Sequence, residues 1–294
     1  MSRFFSPKTL VDALELQRKY PNARWMAGGT DLLVRLRREA PAAPAPLISL
    51  EAIAELQGIH EIGEGSTGLA IGASTTFAQI LASSLLAEHA PILLEASQSL
   101  GAPAIRNMAT LGGNLCTASP AGDALPPLYA LDAQVELVSI AGRRCLPLRE
   151  FISAPGKNAL ASGEILSRVL LPCRSPFALQ RFEKVGKRQS LAIAVVSFAG
   201  LLKLDDEKRI VEASFAWGSV GPTVVTLPEV ESMLRGRMVG KELLQQAVER
   251  VHESVCPIGD LRSGANYRRR LAGNLLRRFL LQLPLTVTVQ IDRG

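Results

Sequence analysis

Residues 110–123 (TLGGNLCTASPAGD) place two adjacent glycines among many small hydrogen-bonding side chains. Gly112 and Gly113 would let a ligand come close to the main chain. The side chains able to donate to or accept from that ligand are Thr110, Asn114, Thr117, Ser119 and Asp123. Burying such groups without partners is costly, so a ligand with many oxygen atoms would satisfy them. An irregular surface loop whose Asx and Ser/Thr turns pair these groups internally is the alternative.

A second glycine motif lies upstream, at residues 27–33 (AGGTDLL). Gly28 and Gly29 allow the backbone to turn so that successive N–H groups point into one concavity. Thr30 offers a hydroxyl, and the N-terminus of a following helix adds positive potential. This geometry suits a pyrophosphate. A plain strand-to-helix turn capped by Thr30 or Asp31 explains the motif equally well when it is taken alone.

Strands and helices are predicted on both sides of the two motifs. Apolar periodicity predicts a strand at 23–27 and a helix at 32–39 around the first motif. Before the second motif it predicts one helix over 77–89 and another over 91–101. The second motif itself is predicted to be irregular backbone, because neither a regular helix nor a strand favours its composition.

The proline-containing segment 172–177 (PCRSPF) marks the best domain boundary, since the pattern changes after it. The elements predicted beyond it are strands at 179–186, 191–204 and 210–220 and helices at 241–255 and 265–283. In the last helix Leu271, Leu275, Phe279 and Leu283 recur every four residues and predict a buried stripe. About the first 170 residues are therefore α/β, and the remainder is a smaller α+β unit.

Composition limits the classes of function. Hydrophobic residues make up 47% and charged residues 20% of the 294 residues, which is typical of a globular protein with a full core. A net charge of +6 could attract nucleic acid, but aromatic residues make up only 5%, so platforms for base stacking are scarce. The arginine clusters at 35–38 and 262–278 are interpreted as solvated or partner-facing surface. No signal-peptide core opens the chain and no run is long enough for a membrane helix, so a cytoplasmic protein without nucleic-acid or membrane contact is expected.

Several other motifs are excluded by context or spacing. The letters GEGSTG at 63–68 match a dinucleotide fingerprint, but the strand-like segment after them predicts a hairpin turn. The chain has no P-loop for nucleoside triphosphates and no G-x-S-x-G elbow. The cysteines, which form no C-x-x-C pair and are expected to be reduced and mostly buried, are Cys116, Cys145, Cys173 and Cys256. No metal site and no catalytic residue is therefore assigned to this chain.

Two stretches together carry a family resemblance: AGGTDLL at 27–33, and IRNxATLGGN at 105–114 followed by SPAGD at 119–123. They closely resemble the flavin-binding (medium) subunit of the molybdenum hydroxylases. This family includes bacterial xanthine dehydrogenase, nicotinate dehydrogenase and aerobic carbon monoxide dehydrogenase. The resemblance runs from residue 1 to about 280.

The resemblance implies an α+β chain with the vanillyl-alcohol-oxidase-type (PCMH-like) FAD-binding fold. Residues 1–172 would form the FAD-binding domain, with α/β subdomains at about 1–57 and 58–172. A C-terminal flavoprotein domain at 177–283, made of a small antiparallel sheet with helices, would close over the isoalloxazine. Residues 284–294 would be a tail.

The resemblance also assigns FAD-binding residues. The first loop would hold the pyrophosphate through main-chain amides at Met26, Ala27, Gly28, Gly29, Thr30, Asp31 and Leu32. The second loop would contribute Ala109, Thr110, Gly113, Asn114, Thr117, Ser119 and Asp123, and the last of these could accept from a sugar hydroxyl. Leu166 matches a leucine late in the second subdomain. Lys184 matches a lysine near the flavin ring, where its charge would stabilise the reduced cofactor; a solvent-facing strand lysine is the alternative.

An electron-transfer subunit is the function implied by the resemblance. Molybdopterin would lie on a large partner subunit and [2Fe–2S] clusters on a small one, since this sequence has no ligand set for either. Electrons would pass through FAD to NAD or another acceptor. Gln189 and Ser190 stand where vertebrate-type xanthine dehydrogenases carry acidic residues that handle nicotinamide, so the acceptor stays open. The basic face of the last helix either docks a partner or is solvated.

Other classes of function remain open from sequence alone. A free-standing FAD-dependent oxidoreductase would be reduced by its own small organic substrate without partners. A scaffold of the same fold that has lost FAD would purify without flavin absorbance. A nucleic-acid-binding protein would show strongly salt-dependent binding.

Overall fold

The computed structural model describes residues 3–39, 45–63, 68–172 and 176–283. Within these ranges the chain is a mixed α+β molecule in which helices pack against β-sheets, so the predicted fold class is confirmed. The predicted tail at 284–294 lies outside the described residues, as do parts of the segments 63–68 and 172–177.

A three-stranded parallel sheet forms in the N-terminal part of the chain. Its strands are β1 (Phe4–Phe5), β2 (Arg24–Met26) and β3 (Leu47–Ser49), with β3 in the middle. Helix α1 (Leu10–Lys19) joins β1 to β2, and its N-cap Thr9 accepts a hydrogen bond from the Asp12 N–H. Helix α2 (Leu32–Glu39) follows the first glycine motif as predicted, and none of its residues is buried.

A five-stranded antiparallel sheet forms the next layer. Along the chain come β4 (Ile59–Ile62), β5 (Gly68–Gly72), β6 (Gln134–Ser139), β7 (Gly142–Pro147), β8 (Ile152–Ala154), β9 (Lys157–Asn158) and β10 (Ile165–Pro172). The spatial order of the sheet is β4-β5-β10-β6-β7, while β8 and β9 form a separate hairpin. Ile62 lies opposite Gly68 in the antiparallel pair β4–β5. The G-x-G-x-x-G letters therefore connect two strands of a hairpin, as predicted, and no helix follows them.

Seven helices of the described residues lie between β5 and β10 along the chain. They are α3 (Phe77–Leu81), α4 (Ser84–His89), α5 (Pro91–Ser99), α6 (Pro103–Arg106), α7 (Leu111–Thr117), α8 (Leu125–Ala130) and α9 (Leu148–Phe151). The single helix predicted over 77–89 is wrong, because it is broken between α3 and α4. The Ser83 hydroxyl accepts from the Leu86 N–H and starts a new helix there. Gly101 follows α5 at a φ of 50°, a conformation that favours glycine.

The prediction of irregular backbone for residues 110–117 is also wrong, because α7 occupies most of this segment. The Thr110 hydroxyl accepts from the Gly113 N–H and caps the helix at its N-terminus. Ala118, in the left-handed conformation at a φ of 48°, ends it. A Cβ at Gly112 would lie 2.6 Å from the Cβ of Ala73. Close packing therefore requires glycine at this position, and tertiary contact outweighs the low helix propensity of glycine.

The C-terminal part consists of a four-stranded antiparallel sheet covered by helices. Its strands, which lie in chain order, are β11 (Leu179–Val185), β12 (Val196–Leu204), β13 (Ile210–Gly218) and β14 (Val225–Thr226). Its helices are α10 (Pro228–Leu234), α11 (Lys241–Ser254) and α12 (Ala265–Leu280). The strand predicted from residue 191 begins only at Val196, because residues 191–195 form a loop in which Leu191 has a φ of 55°.

Helix α12 packs through the predicted apolar stripe. Phe279 is fully buried against the rings of Phe198 and Phe215 on the sheet. Leu275 is also buried, whereas Leu271 is half-buried at the edge of the same core. This packing attaches α12 to the C-terminal sheet.

Candidate functional site

The two glycine motifs lie directly against each other. A Cβ added to Gly28 would stand 1.7 Å from the carbonyl oxygen of Met108, just before the second motif. The Thr117 hydroxyl donates to the Asp31 carboxylate at 3.3 Å, so the loops also meet through side chains. Segments about 80 residues apart in the sequence thus form one continuous surface.

This surface is one side of a cavity of about 910 Å³, a size at the upper end of ordinary ligand pockets. The predicted site residues that line it are Ala27, Gly28, Gly29, Thr30, Asp31, Leu32, Ala109, Thr110, Gly113, Asn114, Thr117, Ser119 and Asp123. Three predicted residues do not line it. Met26 is the last residue of β2, Leu166 is buried on β10 opposite Leu137, and Lys184 lies behind Asp123.

Two buried oxygen atoms beside the cavity have no hydrogen-bond partner in the described part of the chain. They are Oδ1 of Asn114, on α7, and Oδ1 of Asp123. An unsatisfied buried acceptor costs about 1–3 kcal/mol, and folded proteins rarely leave such atoms unpaired. Both residues line the cavity, so a ligand that brings hydrogen-bond donors fits this site.

The glycines of the second motif have different roles. The Gly112 N–H donates to the Ala73 carbonyl at 2.8 Å and the Gly113 N–H to the Thr110 hydroxyl at 3.1 Å. These amides are thus already paired within the protein. Gly112 permits helix packing and does not line the cavity, contrary to the expectation that it permits ligand approach. The second motif therefore offers side chains, chiefly Asn114 and Asp123, to a ligand.

Lys184 of β11 forms a buried ion pair with Asp123. Its Nζ atom donates to Asp123 Oδ2 at 2.5 Å and to the Ser99 carbonyl at 3.0 Å. Both charged side chains are only 9% exposed, so the alternative of a solvent-facing lysine is wrong. Burial raises the pKa of Asp123 to about 6, although the charge and hydrogen bond of Lys184 lower it. The pair also connects the C-terminal sheet to the cavity.

This raised pKa gives a testable pH dependence. An unperturbed aspartate titrates at 3.8 and folded Asp123 at about 6, so the folded state binds the proton more tightly. Below pH 3.8 this contribution to stability is fully present, and it is lost as the pH rises through about 6. We expect Asp123 to lower the free energy of unfolding by at most about 1.4 kcal/mol per pH unit in that window.

The measurement is urea unfolding of the ligand-free chain between about pH 4 and about pH 7. Asp123→Asn resembles the protonated carboxyl and should remove this slope, while all other titrations cancel in the difference from wild type. Parallel stability curves for the two proteins would contradict the raised pKa.

The opposite side of the cavity was not predicted in detail. We call it the C-terminal wall, and it is made by residues 191–193, 219–222 and 256–262 together with Arg268. Its segments are loops that are far apart in the sequence, and Arg268 stands in a run of arginines with nothing to distinguish it. The sequence therefore carried no usable signal for this wall.

The cysteines differ from expectation. Cys145 and Cys256 are exposed, so the prediction of mostly buried thiols is wrong for these two. Cys116 lines the cavity, and burial raises the pKa of its thiol to about 12, which keeps it protonated and unreactive. Cys173 lies outside the described residues.

Two features are absent from the described residues. No three histidine, cysteine, aspartate or glutamate side chains there are grouped as a metal ion would require. No helix among them has both the length and the apolar character needed to cross a membrane.

Comparison with known protein families gives two matches that together cover most of the chain. Residues 1–174 match the FAD-binding domain in molybdopterin dehydrogenase. Residues 181–283 match the C-terminal domain of the carbon monoxide dehydrogenase flavoprotein.

Individual proteins match over nearly their full length. The nicotinate dehydrogenase FAD-subunit of Eubacterium barkeri is 31% identical over 95% of both chains. The carbon monoxide dehydrogenase medium chain of Afipia carboxidovorans is 32% identical over 94% of both. Among solved structures, reconstituted CO dehydrogenase from Oligotropha carboxidovorans is 30% identical with a TM-score of 0.89, covering 96% of this chain and 97% of that one.

Proposed function

The chain belongs to the FAD-binding subunits of the molybdenum hydroxylases, a family of oxidoreductases, and we propose that its cavity holds FAD as an electron-transfer cofactor. The observation that carries this proposal is the contact between the two glycine motifs. Gly28 meets the backbone at Met108, and both motifs then line one cavity. Two oxygen atoms without partners, on Asn114 and Asp123, lie beside that cavity.

The chain's own residues have distinct tasks in this proposal. Gly28, Gly29 and Thr30 precede α2, so their backbone and the helix N-terminus offer positive potential to a diphosphate. Asp123 accepts a hydrogen bond from a sugar hydroxyl. Lys184 brings a positive charge to the same region, held in place by Asp123 and Ser99. When bound, FAD supplies the redox chemistry that links a donor to an acceptor.

The C-terminal wall shields the cofactor from water on the other side. Leu191, Ile193 and Ile258 are the large aliphatic residues of this wall that line the cavity. Their side chains are 50%, 55% and 76% exposed, respectively. A cofactor ring below them would bury part of this apolar surface, which is favourable.

The proposal also covers the electron donor and the electron acceptor. We place molybdopterin on a large partner subunit and [2Fe–2S] clusters on a small one, because relatives that match over nearly their full length are the FAD-subunit of a nicotinate dehydrogenase and the medium chain of a carbon monoxide dehydrogenase. Electrons then reach FAD from the partner clusters and leave to NAD or another acceptor. No residue of this chain is required as a general acid or base.

Purification of the full chain from its native host tests the proposal. We expect about one FAD per chain after denaturing release, and co-purification of a large molybdenum-containing chain and a small iron–sulfur chain. A colourless chain that does not bind added FAD would overturn the cofactor assignment. Flavin reduction by a small organic substrate in the absence of any partner would instead favour a free-standing oxidoreductase.

Replacement of Asn114 by alanine should separate binding from stability. We expect FAD affinity to fall about 10-fold, equivalent to about 1.4 kcal/mol, because one acceptor for the ligand is lost. The unfolding free energy of the FAD-free chain should stay equal or rise, since an unsatisfied buried oxygen is removed. Fluorescence titration and urea unfolding measure the two quantities, and a variant that is destabilised but binds FAD normally would contradict the assignment.

A further inference from the structure

Arg268 is a buried arginine at the start of α12 that none of the sequence motifs explains. Its side chain is 4% exposed, which is rare for a charged residue without a specific task. Arg268 lines the cavity, but its Nε atom is buried. Its two terminal nitrogens donate hydrogen bonds to other segments of the protein.

The guanidinium donates hydrogen bonds to two loop segments of the C-terminal wall and to a residue that closely follows the third. Nη1 donates to the Val195 carbonyl at 2.7 Å, two residues after segment 191–193, and to the Ser219 carbonyl at 3.1 Å in segment 219–222. Nη2 donates to Asp260 Oδ1 at 2.6 Å in segment 256–262. One planar group therefore joins all three segments.

The three segments have little regular structure of their own to fix them. They lie outside the described helices and strands, and Leu191 and Ser219 both have positive φ angles, which are unfavourable for residues other than glycine. Such conformations persist only where the surroundings enforce them. Arg268 stands on a sixteen-residue helix that is packed into the aromatic core, so it is a rigid anchor.

Asp260 adds an ion pair to the hydrogen bonds that Arg268 makes with the backbone. Burial raises the pKa of Asp260, but hydrogen bonds from the Arg262 N–H and from Arg268 lower it to about 2 overall. The carboxylate is thus charged at neutral pH and compensates the buried guanidinium. The same carboxylate accepts from the Arg262 and Ser263 N–H groups, so it also shapes the loop that carries it.

We propose that Arg268 is a positioning residue that fixes the three segments of the C-terminal wall as one surface and so determines how this wall covers the cofactor. Arginine is needed because its planar fork donates in several directions at once. A lysine has one ammonium group and cannot reach the same set of acceptors in the same geometry. The part of the inference that concerns the cofactor rests on the proposed function, whereas the part that concerns the wall does not.

The first test is amide hydrogen exchange of the full-length, FAD-free chain. In Arg268→Met we expect exchange at least about 10-fold faster in peptides that cover residues 186–195, 218–223 and 256–264, with little change in β12 and β13. Arg270→Met is the matched control, since Arg270 is exposed on the same helix and should leave exchange unchanged. Wild-type exchange in all three segments of Arg268→Met would overturn the proposal.

If Arg268→Met does not fold, Arg268→Lys decides the question. It keeps the positive charge opposite Asp260 but loses the fork, so at least two of the three segments should still exchange faster than in wild type. Equal protection in Arg268→Lys and wild type would show that the charge alone suffices and would overturn the positioning role of the fork.

The second test is the circular dichroism of the flavin absorption bands in the FAD-loaded chain, together with quenching of flavin fluorescence by iodide. We expect Arg268→Met to alter the dichroism and to increase quenching. Ile53→Val is the control for simple loss of stability, because Ile53 is fully buried in a separate core cluster that includes no residue of α12 or of the wall. Identical flavin signals in wild type and Arg268→Met would overturn the effect on the cofactor. Failure of the wild-type chain to bind FAD would refute the proposed function but leave the exchange test of the wall valid.

Discussion

Replacement of Gly28 by alanine should reduce FAD affinity by at least about 100-fold, or about 2.7 kcal/mol. The added Cβ would lie 1.7 Å from the Met108 carbonyl oxygen and 2.5 Å from its carbonyl carbon. Both are backbone atoms, so no side-chain rotation relieves the overlap and the two glycine motifs must separate. We also expect overpacking to lower the unfolding free energy by about 1–3 kcal/mol. Flavin content after gel filtration and fluorescence titration of the FAD-free chain measure the loss of binding.

Gly264→Ala is the matched control for this variant. Nothing lies within 4 Å of a Cβ added at Gly264, and its φ of −74° suits any residue. We expect its FAD affinity to equal that of wild type, with a loss of stability of about 0.5–1 kcal/mol, because glycine is a better N-cap residue than alanine. Normal FAD binding by Gly28→Ala would mean that contact between the motifs is not required for the cofactor site.

Removal of the Asp123 carboxylate should produce the second large effect. Asp123→Ala leaves the buried ammonium of Lys184 without its counter-charge, although the Ser99 carbonyl still accepts from it. Breaking a buried ion pair by deleting one partner costs about 3 kcal/mol or more. We therefore expect the unfolding free energy of the FAD-free chain to fall by about 3 kcal/mol at neutral pH. FAD retention should fall as well, because an acceptor in the cavity is lost.

The double variant Asp123→Ala/Lys184→Met separates these two effects. It removes both charges, so much of the lost stability should return, while FAD binding should stay weak. Arg250→Met breaks an exposed ion pair with Glu253 and should change stability by at most about 0.5 kcal/mol. A double variant as unstable as Asp123→Ala alone would show that the unpaired lysine is not the cause of the loss.

The strand and the helix on either side of the first motif could be predicted from the sequence. Strand β2 and helix α2 are both short and have clear patterns, and their order places the glycines at a strand-to-helix turn. The antiparallel pair β4–β5 was equally clear, because a strand-like segment follows the G-x-G-x-x-G letters. Such features depend on neighbouring residues and on the periodicity of side chains.

The errors arise where distant contacts decide the local structure. Helix α7 forms despite two glycines because Gly112 packs against Ala73 and Thr110 caps the first turn. The partner of Lys184 could not be read from the sequence, since the pair joins β11 to a loop 61 residues earlier. The resemblance implied that the C-terminal domain covers the site, but the residues of the C-terminal wall were not identified, for the same reason. Its segments are defined by hydrogen bonds to Arg268, and an arginine among arginines gives no pattern.

The residues that line the cavity come from almost the whole length of the chain. Residues from Trp25 to Arg268 contribute to one enclosure, and the last of them holds three of its loops. A nascent polypeptide cannot complete this enclosure while its C-terminal helix is still inside the ribosome. Under the proposed function, a coenzyme would therefore be enclosed only after translation has passed residue 268.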